Sequence, residues 1–122
     1  MQILDCTFRD GGYYTDWNFS NEVLNKYLNA VSKLPISIVE LGYISNKRDQ
    51  NGPFFHLDKT LLSKTKSKLR NNQKVFAMIN FKEISNSNDL YKLLANKQKY
   101  LDGVRFAINP KDVVKFLKII LP

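Results

Sequence analysis

The stretch Ile36-Ser37-Ile38-Val39-Glu40-Leu41-Gly42 has the composition of a buried strand, because it is rich in β-branched residues and closed by glycine. Before it, apolar residues recur at helical spacing over residues 20–34 and stop at Pro35. A short apolar run over residues 2–8 predicts a further strand at the N-terminus. The three segments predict a strand, a helix and a strand, and a crossover of this kind implies parallel pairing.

The same alternation continues to the end of the chain. Further along, the sequence predicts a helix capped by Asp58, a strand over residues 74–81, a helix over residues 89–97, a strand over residues 103–108 and a last helix opened by Asn109-Pro110. Four such repeats, with strands that are apolar almost throughout, favour an α/β fold with a parallel sheet and outer helices. No linker is visible, so residues 1–122 are predicted to form a single domain.

The length of 122 residues limits how many strand–helix units the fold can contain. A complete eight-stranded α/β barrel needs roughly 250 residues, so four units predict half a barrel. Half a barrel has two unpaired sheet edges and an uncovered inner face, both of which promote association. We therefore expect either a homo-oligomer or a missing C-terminal half-barrel as the partner.

Composition narrows the functional classes. The formal charge of +8 comes mostly from Lys, which together with the abundant Asn and Ile is typical of an AT-rich genome, so no nucleic-acid partner is expected. No apolar run approaches the roughly 20 residues that cross a bilayer, so no membrane association is expected. A single cysteine and no signal peptide favour the cytoplasm.

Two segments contain the residues suited to chemistry. Arg9-Asp10-Gly11-Gly12 is predicted to follow the first strand, and Glu40 lies in the apolar run of the second. Parallel α/β folds place active sites at the carboxyl ends of their strands. A buried carboxylate needs a cation, and Arg9 on the neighbouring strand is its predicted partner. The alternatives are an ordinary charged turn for Arg9 and Asp10, and an outward-facing Glu40 paired with a helix Lys.

The run Leu4-Asp5-Cys6-Thr7-Phe8-Arg9-Asp10-Gly11-Gly12, followed by Glu40, resembles the Asp-Arg-Glu TIM-barrel metallolyases, also called the HMGL-like family. Aldolase-type members such as 4-hydroxy-2-oxovalerate aldolase are the most similar. The stretches from Val39 to Tyr43, 52–55 and 103–107 also resemble landmarks of these proteins. The resemblance implies a partial TIM barrel, the N-terminal half, of an enzyme that cleaves or forms a C–C bond next to a carbonyl in a small oxo or hydroxy acid.

The resemblance also implies roles for individual residues. Asp10 would ligate Mg²⁺ or Mn²⁺, Arg9 would stabilise the enolate and Glu40 would support Arg9. Family members complete the metal site with a His-x-His pair on a late strand. The only histidine here is His56, in a loop, so the remaining ligands are expected beyond residue 122 and the fragment alone is expected to be inactive. We expect His56 to be a surface or hydrogen-bonding residue.

Three further residues are candidates for substrate binding: Tyr13, Tyr43 and Asn109. Aldolases of this kind have a histidine base shortly after the Arg-Asp-Gly segment, where this chain has Tyr13 and Tyr14. Tyr13 is equally compatible with packing beside Trp17 over the barrel mouth. Asn109 precedes proline, which favours helix capping over substrate contact. The rival hypothesis for the whole chain is a non-catalytic half-barrel association module.

Overall fold

The computed structural model describes residues 1–121 and has a four-stranded sheet with helices between the strands. All neighbouring strands are parallel, in the order β1-β2-β3-β4. The strands are β1 Leu4–Asp5, β2 Ile38–Tyr43, β3 Lys74–Asn80 and β4 Gly103–Ala107. The helices are α1 Thr7–Thr15, α2 Asn21–Val31, α3 Lys59–Lys68, α4 Ser87–Leu94 and α5 Val113–Ile120. The predicted α/β half-barrel is confirmed.

The N-terminal strand is shorter than predicted. β1 ends at Asp5, and Thr7 begins a helix that contains the whole Arg9–Gly12 segment. The Asp5 side chain, one residue before the N-cap Cys6, accepts hydrogen bonds from the backbone N–H and the hydroxyl of Thr7, both at 3.1 Å, and so satisfies a free N–H in the first turn of this helix. The predicted strand over residues 2–8 is therefore too long, and the predicted tight glycine turn was wrong, because the chain enters α1 at Thr7 and both glycines lie inside that helix.

Other predicted helix starts are confirmed by their caps. Ser20 accepts from Val23 N at 3.2 Å, and Asp58 accepts from Leu61 N at 2.8 Å. The Asn109 side chain accepts from Lys111 N at 3.1 Å, but it starts the short 3-10 turn Pro110–Asp112 before α5 begins. α2 ends at Val31, earlier than the predicted stop near residue 34.

The main core lies between one face of the sheet and the helices. Val39 and Leu41 of β2 and Val75, Ala77 and Ile79 of β3 are fully buried. They belong to one apolar cluster with leucines of the helices, which are Leu24, Leu28, Leu62 and Leu93. These residues alternate along each strand, so all of them point to the core. A shift of the strand register by one residue would turn them to the other face, and their burial therefore determines which face of each strand is inward. Within residues 1–121 no helix is long and apolar enough to cross a membrane.

The opposite face of the sheet is the inner face of the half-barrel. Glu40 pairs with Phe76, Phe76 with Gly103, and Met78 with Arg105 across the strands, so these residues share that face. A Cβ on Gly103 would lie 2.5 Å from the Phe76 ring, which packs over it. Glu40 and Met78 are buried, but Phe76, Gly103 and Arg105 remain partly or well exposed. This face is therefore accessible beside a buried carboxylate.

Candidate active site on the inner face of the sheet

Glu40 is the centre of the site. Its side chain is 0% exposed and lies between two guanidinium groups, with Arg9 Nε at 2.9 Å from Oε1 and Arg105 Nε at 2.9 Å from Oε2. The predicted contact between Arg9 and Glu40 is present. A carboxylate removed from water needs such cations, since its desolvation costs several kcal/mol or more. The outward-facing alternative for Glu40 is wrong, because β2 turns this residue to the inner face.

Arg9 reaches Glu40 from α1 and is held by contacts with two carboxylates. Its Nη1 lies 2.5 Å from Asp10 Oδ1, and its Nε donates to Glu40. Burial lowers the pKa of Arg9, but the hydrogen bond to Glu40 and the charges of Asp10 and Glu40 outweigh it and raise the pKa above its ordinary value. The side chain is only 17% exposed, so a permanent positive charge is held at a fixed place.

Asp10 is the exposed member of the site. Its side chain is 59% exposed, with Oδ1 paired to Arg9 and Oδ2 accepting from Cys6 Sγ at 3.3 Å. Burial, the hydrogen bond with Asp10 and the Asp10 charge raise the pKa of the Cys6 thiol, so it stays protonated near neutral pH. An exposed carboxylate suits one ligand position of Mg²⁺ or Mn²⁺. Within residues 1–121 no three His, Cys, Asp or Glu side chains group into a metal site.

An aromatic cluster of Tyr13, Trp17, Tyr43 and Phe55 contacts the backbone of Arg9. Trp17 donates its indole N–H to the backbone oxygen of Arg9 at 3.2 Å. Its ring packs at 4.6 Å from Tyr13 and 4.9 Å from Phe55, and the hydroxyl oxygens of Tyr13 and Tyr43 are 3.2 Å apart. Tyr13 thus packs against Trp17, as the structural alternative expected, and its hydroxyl also joins Tyr43 at the site. This aromatic cluster holds α1 against β2, because Tyr13 of α1 and Trp17 after it both contact Tyr43 of β2.

Tyr43 is expected to weaken the fold at high pH. Burial, then the hydrogen bond with Tyr13, raises the pKa of Tyr43 from 10.0 to about 12. A raised pKa means that the folded state favours the neutral phenol, so this stabilisation is complete below pH 10 and is lost as the pH rises through about 12. The free energy of unfolding, measured at intervals from pH 10 to pH 12, should therefore fall. A pH titration of the absorbance at 295 nm should show one late-titrating phenol fewer in Y43F than in the parent. Loss of a phenol titrating near pH 10 in Y43F would contradict the prediction.

His56 lies in the loop between β2 and α3, as expected from the sequence. Its Nδ1 is 3.1 Å from the Ser45 backbone oxygen and its Nε2 is 2.9 Å from Asp49 Oδ1. The hydrogen bond from His56 is the main cause that lowers the pKa of Asp49. Both ring nitrogens are therefore engaged in holding the loop, which supports the hydrogen-bonding interpretation of this histidine.

Asn109 lies just after the end of β4 and makes none of the contacts of the Glu40 cluster. It caps the following turn, which confirms the favoured interpretation, and it also lines a surface depression of about 310 Å³ with Asn80 and Asp112. A larger depression of about 400 Å³ lies at the opposite, amino ends of β2 and β3, and none of the candidate site residues lines it. The carboxyl-end depression is the one compatible with an α/β active site.

Arg105 is the site residue that sequence reasoning missed. It was noted only as part of a landmark segment, yet it contacts the second oxygen of Glu40. The available signal was a charged side chain between Val104 and Phe106 in an apolar strand. Such a residue must either face solvent or meet a buried opposite charge.

Comparison with known proteins gives one informative match. No family model matches the chain, and no curated protein matches it. Among solved structures, the chain is similar to the N-terminal domain of a protein from Bacteroides vulgatus described as a "putative aldolase", with a TM-score of 0.89 and 32% sequence identity. The match covers 98% of this chain and 39% of the other protein's length. The chain is thus related to an aldolase-associated N-terminal domain.

Proposed function

We propose that the chain is the N-terminal half of a divalent-metal-dependent aldolase or lyase of the HMGL-like type. Its parent activity would cleave or form a C–C bond next to a carbonyl in a small oxo or hydroxy acid. The observation that supports this most directly is the cluster that Arg9 and Asp10 of α1 form with Glu40 on the inner face of the parallel sheet, in a chain similar to an aldolase N-terminal domain. The second half of the barrel comes from further polypeptide or from another subunit.

Arg9 is the proposed electrostatic catalyst. Cleavage next to a carbonyl leaves an enolate, whose oxygen develops negative charge in the transition state. A guanidinium that is already oriented by Glu40 and Asp10 can stabilise this charge without reorganising. Glu40 is then a positioning residue, because it is buried and acts through Arg9. A bound divalent metal would supply Lewis-acid polarisation of the same oxygen.

Asp10 is the proposed metal ligand, and Tyr13, Tyr43 and Asn109 are the proposed substrate contacts. Asp10 alone does not make a metal site, since Mg²⁺ and Mn²⁺ require several oxygen or nitrogen ligands. The missing ligands belong to the second half of the barrel in this proposal. Tyr13 is the more accessible of the two paired tyrosines, because Tyr43 is buried.

We expect the isolated chain to bind Mn²⁺ only weakly, with a Kd on the order of 1 mM or higher, because a single carboxylate is involved. Paramagnetic broadening of backbone NMR signals should be centred on residues 6–10. D10N should abolish it, and D16N, which changes an exposed aspartate six residues further on at the C-cap of α1, should leave it unchanged. Equal broadening in D10N, or robust metal-dependent turnover by the isolated chain, would contradict the proposal that Asp10 is one ligand and that the second half of the barrel supplies the others.

A second candidate function is a non-catalytic half-barrel that associates with another chain. It is favoured by the exposed apolar side chains of the C-terminal helix region, which are Val113, Val114, Leu117 and Leu121. The outer edges of β1 and β4 add unpaired backbone groups. Sedimentation analysis distinguishes the two, because this candidate requires a stable complex that forms without metal and is insensitive to R9Q.

A further inference from the structure

Arg105 lies on the inner face of β4, directly beside Glu40. Its Nε is 2.9 Å from Glu40 Oε2, but the N–H is not directed at that oxygen, which receives no hydrogen bond within residues 1–121. The contact is therefore an ion pair without a hydrogen bond. Arg105 keeps its donors available, and its side chain is 45% exposed on the accessible face.

The charges of the cluster leave Arg105 less neutralised than Arg9. Arg9 contacts both Asp10 and Glu40, whereas Glu40 is the only carboxylate within 4.0 Å of Arg105 in the described part of the chain. Glu40 thus shares one negative charge between two guanidinium groups. If Asp10 also binds a cation, the cluster becomes positive overall, which favours an anionic ligand at its exposed end.

We propose that Arg105 is a substrate-binding residue that takes the carboxylate of a small 2-oxo or 2-hydroxy acid on the exposed edge of its guanidinium. The inference rests on the proposed function and assigns the substrate's acid group to a residue of β4. A planar guanidinium binds a carboxylate through two parallel N–H groups, and Glu40 restricts the orientation of its Nε side. Arg9 then binds the carbonyl oxygen of the same substrate, while Arg105 binds its carboxylate.

The packing around Arg105 favours a small ligand. The next inner-face residue toward the start of β4 is Gly103, over which the Phe76 ring lies, and the next toward its end is Ala107. The two residues that flank Arg105 on the inner face of β4 therefore carry no bulky side chain. A short-chain acid fits this arrangement because it presents one carboxylate and little else to the sheet.

The test is a titration of the metal-free chain with pyruvate, the smallest 2-oxo acid, followed through the arginine Nε–Hε signals in ¹H–¹⁵N NMR. The chain has four arginines, so substitution assigns each signal. Pyruvate should shift the Arg105 signal saturably, and methyl pyruvate, which lacks the charge, should not. R105Q should weaken pyruvate binding by about tenfold or more, because a charge-assisted bidentate pair is lost.

Three controls keep the result interpretable. R48Q removes the same charge from an exposed loop and should bind pyruvate as the parent does. R105K retains the charge but not the planar fork, and should also bind more weakly; it replaces R105Q if that variant does not fold. D10N should retain pyruvate binding even though it abolishes the Mn²⁺ effect, so failure of the metal proposal and failure of the Arg105 proposal are separable.

Pyruvate binding to R105Q within twofold of the parent would overturn the assignment. So would the absence of any saturable shift at Arg105, or an equal shift with inorganic phosphate, which would indicate a general anion site. Saturable binding that depends on Arg105 and on the ligand carboxylate supports it.

Discussion

Replacing Glu40 by glutamine or alanine is expected to lower the free energy of unfolding by about 3–5 kcal/mol, the cost of removing one partner from a buried ion pair. Glu40 is fully buried and compensates Arg9 and Arg105 together. Without its charge, two guanidinium groups face each other across the inner face of the sheet. Urea unfolding followed by the fluorescence of Trp17, the only tryptophan, measures the change.

The two substitutions separate charge from packing. Glutamine nearly preserves the volume of glutamate, so a loss in E40Q that approaches the loss in E40A assigns the effect to charge. The matched control is E22A, which removes an exposed carboxylate paired with Lys26 at 2.7 Å and should cost less than about 1 kcal/mol. If E40Q is as stable as the parent, Glu40 does not hold the two arginines in place as described.

Two adjacent glycines of α1 are expected to respond in opposite directions to alanine. A Cβ on Gly12 would lie 2.0 Å from the Trp17 ring, so G12A should destabilise the protein by about 1–3 kcal/mol, as overpacking does. A Cβ on Gly11 would meet only Phe19, at 3.6 Å, which is an ordinary contact. G11A should therefore stabilise by about 0.5–1 kcal/mol, because alanine is the better helix former.

The cost in G12A arises because Trp17 cannot move freely. Its indole N–H donates to Arg9 O, its backbone N–H donates to Gly12 O at 3.0 Å, and its backbone oxygen accepts from Phe54 N at 3.2 Å. Displacing the ring would disturb α1 and the loop after β2 together. Urea unfolding of both variants tests the pair, and equal stability of G12A and G11A would show that the ring relocates without cost.

Local patterns in the sequence accounted for most of the elements. Ser20 and Asp58 cap their helices as predicted, and the strands β2, β3 and β4 lie within two residues of their predicted bounds. These features depend on near neighbours in the chain, through capping and apolar periodicity. The Arg9–Glu40 contact was also predictable, because a carboxylate in an apolar strand requires a cation on an adjacent element.

The first helix was not predictable in the same way. The apolar residues within 2–8 suit a strand, but the chain begins α1 at Thr7, where the Thr7 hydroxyl donates to Asp5 and the Trp17 ring packs beside Gly12. Tertiary packing therefore decided where Arg9 and Asp10 lie, which is inside α1 and not in a turn.

The sequence by itself determined the alternation of strands and helices and the parallel sheet, since these follow from local periodicity. It also predicted Arg9 as the partner of Glu40 from the cost of an unpaired buried charge, and the structure decided this against an outward-facing Glu40. Only the tertiary structure brought Arg105 to the same carboxylate. That contact depends on the register of β2, β3 and β4 and on which face of β4 is inward. Apolar alternation indicates which face of a strand is buried, but the pairing of particular residues joins segments that are distant in the chain, so no local pattern specifies it.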